Sequence, residues 1–294
     1  MALQHEVGAG EVCWSQWLFG LRVEDVKKAE ALLPVLMARL LSLSSRRTVK
    51  IHGLPLQLAN YFFDTPVQQE IRIPRRADLT GLKVWPTALR ILDELSESIL
   101  PQMRERAAAR RRPLRVLELG SGTGVLGLGV ALIGGPSHVV LTDPNLPVNF
   151  TETESGSSLE WLQVNVDLNR AAFQHAGAQV EARELEWTSD EHVESVRLAC
   201  LPDDADAFDL VLGSEILYDP DQYDPLLKTL NQLARAEDTL TVLGYTIRHG
   251  AEARFLEKAK SSFSCVETRR FERGEAGSAW ELTMISHQTK ADNE

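Results

Sequence analysis

The sequence predicts an α/β protein built on a mostly parallel, seven-stranded sheet with helices on both faces. Beyond Gly81, short apolar runs alternate with stretches of helical spacing, the pattern of repeated strand–helix–strand units. The last two runs follow each other without a helix, which predicts an antiparallel pair at one sheet edge. With 294 residues, 44% hydrophobic and 25% charged, the chain suits one enlarged globular domain and is too apolar to be disordered.

Residues 1–80 stand apart as an extension made of a helix and short strands. Between Val23 and Leu43, the residues Val26, Ala29, Leu33, Leu36, Met37 and Leu40 recur at helical spacing. Pro34 marks a kink or a second start there. Thr48–Ile51 and Val67–Ile73 read as strands that pair as a hairpin-like cover, with Arg46-Arg47 and Arg75-Arg76 as solvated strand ends. Residues 81–288 form the main domain. Pro86 opens a helix carrying Ala88, Leu89, Leu92 and Leu95. Arg104–Arg112 reads as a charged helix end or linker, an RNA-binding patch being the weaker alternative.

Strands are expected at Arg115–Leu119, Val139–Thr142, Val180–Leu185, Phe208–Leu212, Leu240–Gly244, Cys265–Arg269 and Trp280–Ile285. Helices are expected at Val125–Ile133, Leu159–Ala176, Pro225–Ala234 and Ala251–Ser262. The polar stretch T-E-T-E-S-G-S-S from Thr151 reads as an exposed loop, either inert or facing a substrate. Residues 289–294 read as a frayed tail.

Charge and cysteine usage narrow the function. Acidic residues outnumber basic ones 42 to 31, a net charge of -11, which is poor for generic nucleic-acid binding and better suited to a basic protein partner. The 3 cysteines, Cys13, Cys200 and Cys265, lie far apart with no C-x-x-C spacing, so neither a disulfide framework nor a cysteine zinc site is expected. The histidines show no H-x-x-x-H spacing, and no metal is expected. No apolar run approaches the roughly 20 residues that span a bilayer, and the start shows no secretory signal. The expected setting is soluble and cytoplasmic, with the nucleus as a second compartment.

The strongest local signal is V-L-E-L-G-S-G-T-G at 116–124: a strand, a tight glycine turn and a helix start. Glycines serve where backbone must turn sharply and approach a ligand without Cβ atoms in the way. Gly122 to Gly127 satisfies G-x-G-x-x-G, so a nicotinamide dinucleotide is a rival ligand. Glu118 tilts the choice. A pyrophosphate gains nothing from a carboxylate at the mouth of the turn, whereas the sulfonium and ammonium of S-adenosylmethionine do. Otherwise Glu118 is a solvated strand-end carboxylate. Asp143, ending the next strand, can accept hydrogen bonds from the ribose of either ligand.

In this context V-L-E-L-G-S-G-T-G resembles the first motif of the seven-strand, Rossmann-like methyltransferases. More narrowly, the chain from about Leu82 onward resembles the non-SET protein-lysine methyltransferases of the methyltransferase-like family. The resemblance rests on V-W-P-T-A-L-R-I-L, L-T-D, N-V-D-L-N at 165–169, L-E-W at 185–187, G-S-E-I-L-Y at 213–218 and Y-T-I-R at 245–248, in that order. It implies a cofactor site in which Trp85 flanks the methionine end. Gly120, Ser121, Gly122 and Gly124 form the glycine turn, Asp143 holds the ribose, Trp187 lies beside the adenine, and Ser214 lines the pocket. Plain core packing is the alternative for both tryptophans.

Ligands of open α/β sheets bind beyond the carboxyl ends of the strands, which puts Glu215 and Tyr218 at the reactive face. A lysine ammonium has no lone pair until deprotonated. A carboxylate can orient the incoming amine, and an aromatic wall can desolvate it. The family motif is usually D-x-x-Y; here it is E-x-x-Y, with a side chain one methylene longer. A related histidine methyltransferase branch has a similar stretch. The resemblance therefore implies S-adenosylmethionine-dependent methylation of a lysine on a non-histone protein, through a basic region of that substrate. The alternatives are a histidine, terminal-amine or small-molecule acceptor, a catalytically silent binding module, and more distantly an NAD oxidoreductase. The 1–80 extension is then expected to cover the substrate side without folding alone.

Overall fold

The structure is a computed structural model that describes residues 46–59, 81–135, 137–149, 155–201, 207–234, 238–247, 250–271 and 279–286. The expected helix at 23–43, the expected strand Val67–Ile73, the Arg75-Arg76 pair and the tail 289–294 lie outside these residues, as do residues 151–154 of the polar loop.

Three strands form the centre of the sheet: β3 (Leu114–Leu119), β4 (Ser137–Asp143) and β8 (Leu210–Ser214). They are flanked by β7 (Ala178–Glu184) on one side and β9 (Leu240–Thr246) on the other. The last two strands, β10 (Cys265–Phe271) and β11 (Trp280–Ser286), complete an order β10-β11-β9-β8-β3-β4-β7. β3, β4, β7, β8 and β9 run parallel to their neighbours in this set, while β11 is antiparallel to both β9 and β10. Both the seven-stranded sheet and its antiparallel edge agree with the sequence expectation.

Helices cover both faces because the central strands bury side chains on both. One face carries α1 (Pro86–Glu94), a π-helical turn (Leu95–Ile99), α2 (Leu100–Ala109), α3 (Val125–Ile133), α4 (Ser158–Leu168) and α5 (Arg170–Ala176), sharing a core with Val116, Val139, Leu212 and Val242. The other carries α6 (Asp190–Cys200), α7 (Tyr223–Leu233) and α8 (Glu252–Ser262), closing on Leu117, Val140, Val211 and Leu243. Alternate residues of one strand thus feed opposite layers.

Four elements differ from expectation. The segment expected as one helix over Leu159–Ala176 is two, because the Asn169 side chain donates to the Asn165 carbonyl at 2.8 Å and takes an acceptor that would continue the helical ladder. The helix α6 was not expected; Ser189 caps it by accepting from the His192 N–H at 3.2 Å, and Val193, Val196 and Cys200 form its buried stripe. Thr48–Ile51 does lie in a strand, β1 (Arg46–Ile51), but its partner is β2 (Leu54–Ala59). The turn between them, His52-Gly53, has φ of 47° and 83°, the left-handed pair that closes a two-residue hairpin. Finally, the polar loop is partly paired: β5 (Pro147–Asn149) runs antiparallel to β6 (Ser155–Ser157), and Ser157 with Glu160 forms a capping box at the start of α4.

The β1–β2 hairpin contributes Ile51, Leu56 and Leu58 to the core on the α1–α5 face. Asn169 grips it: the Gln57 N–H donates to Asn169 Oδ1 at 2.8 Å, and Asn169 Nδ2 donates back to the Gln57 carbonyl at 2.6 Å.

The Arg104–Arg112 run is the end of α2 and a turn. Two of its arginines meet Asp209 at the start of β8. Arg112 makes a two-pronged contact with both carboxylate oxygens at 2.6 Å, and Arg110 bridges Asp209 and Asp238. Asp209 also accepts from the Arg115 N–H at 2.8 Å.

Candidate active site

The carboxyl ends of β3, β4, β7 and β8 surround a cavity of about 540 Å³. Every predicted site residue except Gly124 lines it: Trp85, Glu118, Gly120, Ser121, Gly122, Asp143, Trp187, Ser214, Glu215 and Tyr218. Gly124 instead ends the turn as the N-cap of α3. None of the hairpin residues 46–59 lines the cavity, so any cover supplied by the 1–80 extension would come from residues outside those described.

The glycine turn is tied to β4 along its length. The Ser121 N–H donates to the Thr142 carbonyl at 2.8 Å, the Thr142 N–H returns to Ser121 Oγ at 3.1 Å, and the Thr142 hydroxyl donates to the Glu118 carbonyl at 2.7 Å. Asn165, from the N-V-D-L-N motif, donates to the Thr123 carbonyl at 2.8 Å and holds the turn from below. Gly122 has φ of 53°, and a Cβ there would sit 2.5 Å from the Gly81 oxygen, so the segment leading to Trp85 lies directly against the turn.

Glu118 is buried, not a solvated strand end. Its Oε2 accepts from the Gly127 N–H at 3.0 Å. Gly124 has no side chain to cap α3, and Glu118 satisfies this first-turn donor from the neighbouring strand. Burial pushes its carboxyl up to about 8, against the opposing Gly127 and Ser121 hydrogen bonds. Asp143 Oδ2 accepts from the Gly122 N–H at 2.8 Å, and burial raises its carboxyl to about 6. Two buried carboxylates on one cavity wall lower their cost of ionisation when a cation arrives.

Glu215 follows β8 with a φ of 59°, a left-handed conformation uncommon for a side chain of this size. Its own N–H donates to the Gly244 carbonyl at 2.8 Å. Its Oε1 accepts from the Thr246 N–H at 3.1 Å, the Thr246 hydroxyl at 2.6 Å and the Thr87 hydroxyl. Thr87 and Thr246 had no assigned role in the sequence, although both stand in quoted segments, W-P-T and Y-T-I-R. Ile216 and Leu217 turn into the core, and Tyr218 after them stands at the rim, 60% exposed. Partial burial and the charges of Asp143 and Asp219 push its phenol up, so it stays neutral and offers an aromatic wall.

The cavity leaves room and an unsatisfied polar group for S-adenosylmethionine. Ser214 Oγ is buried and has no hydrogen-bond partner among the described residues, and Ser214 lines the cavity. The glycine turn gives close backbone approach, and Glu118 and Asp143 favour positive charge. The residues fit the group. Among the described residues no cluster suited to a metal ion occurs, and no helix is long and apolar enough to cross a membrane.

A family described as lysine methyltransferase matches residues 68–262, about two thirds of the chain. The chain belongs to that family. Among its curated lysine methyltransferase relatives, the protein N-lysine methyltransferase METTL21A of Danio rerio is 33% identical over 153 residues, 52% of this chain and 59% of that one. The EEF1A lysine methyltransferase 3 of Xenopus tropicalis is 31% identical over 198 residues, 64% of this chain and 72% of that one. The calmodulin-lysine N-methyltransferase of Arabidopsis thaliana is 28% identical over 174 residues, 59% of this chain and 47% of that one. The chain spans less than two thirds of the length of the first relatives it matches.

Proposed function

We propose that this lysine methyltransferase family member is an S-adenosylmethionine-dependent protein N-methyltransferase that modifies a lysine side chain of a non-histone protein. The observation that carries the cofactor is the placement of Glu118, buried beside the glycine turn, lining the cavity and held by the Gly127 N–H. The bound cofactor supplies an electrophilic methyl group on a sulfonium. Glu118 favours that positive end, Gly120–Gly122 bring backbone close, Asp143 receives the ribose hydroxyls, Ser214 gains a partner, and Trp85 and Trp187 flank the methionine and adenine ends.

Glu215 and Tyr218 belong to the acceptor side of this reading. Three donors crowd Glu215 Oε1 and fix the carboxyl group in place. Its contribution is a fixed negative charge that draws and orients an ammonium, and the proton passes to water. Tyr218 walls the amine from bulk solvent at the rim. An acidic chain, net charge -11, favours encounter with a basic region of its substrate. We place it in the cytoplasm, consistent with so few and scattered cysteines.

Two measurements test the reading. Calorimetry should show binding of S-adenosylhomocysteine and none of NAD; the opposite pattern overturns the cofactor. Radiolabelled S-adenosylmethionine with purified EEF1A and calmodulin, the acceptors in the relatives' names, and with a cell lysate should place label on a lysine. Label on histidine would move the acceptor class.

A further inference from the structure

We infer that Lys83 of this chain is itself a methyl acceptor, modified within the same molecule. The inference rests on the proposed cofactor site and extends it to one residue of the chain. Lys83 lines the same cavity as Glu118, Ser214, Glu215 and Tyr218. It is two residues beyond Gly81, whose carbonyl abuts Gly122 of the glycine turn, so its backbone is tethered beside the loop that holds the cofactor. The side chain is half-buried, and its Nζ lies 4.8 Å from the centroid of the Trp85 ring. Among the described residues no carboxylate pairs with it, although five carboxylate side chains share the cavity wall. The amine is therefore held by an aromatic face. That face accepts an ammonium and a methylated ammonium alike, and it excludes water from one side of the nitrogen.

The chemistry balances without another reactant. Lys83 gives one proton to water, and the freed lone pair forms an N–C bond to the methyl carbon. The C–S bond breaks with its pair going to sulfur, leaving S-adenosylhomocysteine. Tethering replaces the encounter with an outside protein, the kind of advantage that intramolecular reactions show.

The test uses the full chain, purified, with S-adenosylmethionine carrying a deuterated methyl and no other protein. Peptide mass spectrometry should find the label on Lys83, and Lys83→Arg should remove it. The initial fraction labelled per unit time should not change over about a tenfold dilution of the protein. A second readout needs no turnover: S-adenosylhomocysteine should shield Lys83 from acetylation by an amine-reactive ester. No binding of S-adenosylhomocysteine overturns both this inference and the cofactor reading. Binding without label on Lys83, or without shielding of it, overturns this inference alone. A labelling rate that rises with protein concentration overturns transfer within one molecule.

Discussion

Thr246 donates twice to one oxygen of Glu215, from its N–H at 3.1 Å and from its hydroxyl at 2.6 Å, and Thr87 reaches the same oxygen from the first turn of α1. A single carboxylate thus fastens the carboxyl ends of β8 and β9 to the helix that follows Trp85. Its loss touches both fold and chemistry, and the two can be separated by choice of substitution.

Glu215→Gln keeps a carbonyl oxygen for the threonine donors and removes the charge. It should lower methyl transfer by about 10²-fold, the scale on which loss of the charge that draws and orients the amine acts. S-adenosylhomocysteine affinity should change by less than about 1 kcal/mol. Single-turnover assays on a labelled acceptor, paired with calorimetry, check this. Cofactor loss as large as that of Asp143→Ala, expected at roughly 1.5–3 kcal/mol, would place Glu215 in the cofactor site.

Glu215→Ala strands the Thr246 N–H and both hydroxyls, and it keeps a Cβ at a left-handed φ. Urea unfolding should show a loss of about 2–4 kcal/mol. Glu215→Gly relieves the backbone strain and should be the milder of the two truncations at equal loss of hydrogen bonds.

Gly122→Ala and Gly120→Ala should differ in severity. A Cβ at Gly122 meets the Gly81 backbone oxygen at 2.5 Å, whereas one at Gly120 meets the Ile216 side chain at 2.8 Å. Backbone cannot step aside as a side chain can. Gly122→Ala should therefore weaken S-adenosylhomocysteine binding more than Gly120→Ala, by about tenfold or more, as calorimetry would read.

Stability should fall as pH rises. Glu118 and Asp143 have carboxyls raised to about 8 and about 6 in the folded chain, from 4.5 and 3.8. The folded state therefore keeps protons that the unfolded state has released, and this stability is full below about pH 4 and lost as pH climbs through about 6 and about 8. Urea unfolding at pH 5.5 and 8.5 should show a decline that is smaller in Glu118→Gln by on the order of 1–3 kcal/mol. Bound cation would pull the Glu118 proton off, so calorimetry in buffers of different ionisation enthalpy should detect proton release on S-adenosylmethionine binding near pH 7.5.

Asp209 is the structural counterpart to these site residues. Its side chain is 9% exposed and takes both prongs of Arg112 together with the Arg115 N–H. Asp209→Ala removes the shared carboxylate acceptor of those donors and should cost about 3 kcal/mol of unfolding free energy, with cofactor affinity unchanged because it lies at the far end of β8.

Much of this architecture is written in local pattern. The central strands and α3 are apolar runs bounded by turns, and they appear within two or three residues of where their sequence places them. The glycine turn and the ends of β4 and β8 follow from strand order alone, which is why Gly120, Asp143 and Glu215 meet at one cavity. What escaped the sequence depends on contacts between distant residues. The Asn169 amide that ends α4 on the Asn165 carbonyl also holds Gln57, 112 positions away. Glu118 is a helix-capping group only once β3 lies against α3. Thr87 and Thr246 acquire a role only when Glu215 comes between them, and no period or motif announces a shared partner.

The placement of β11 bears on how the chain is made. Leu240–Thr246 is a core strand whose second neighbour is Trp280–Ser286, the last of the described strands. During synthesis β9 is finished well before the segment that covers its free side. A chain halted between them would display the row of unpaired amides and carbonyls along β9, flanked by Val242, Leu243 and Tyr245. Truncation short of Trp280 therefore exposes an adhesive sheet edge on an otherwise formed domain, and ribosomal release of such products would be an occasion for chaperone capture or aggregation.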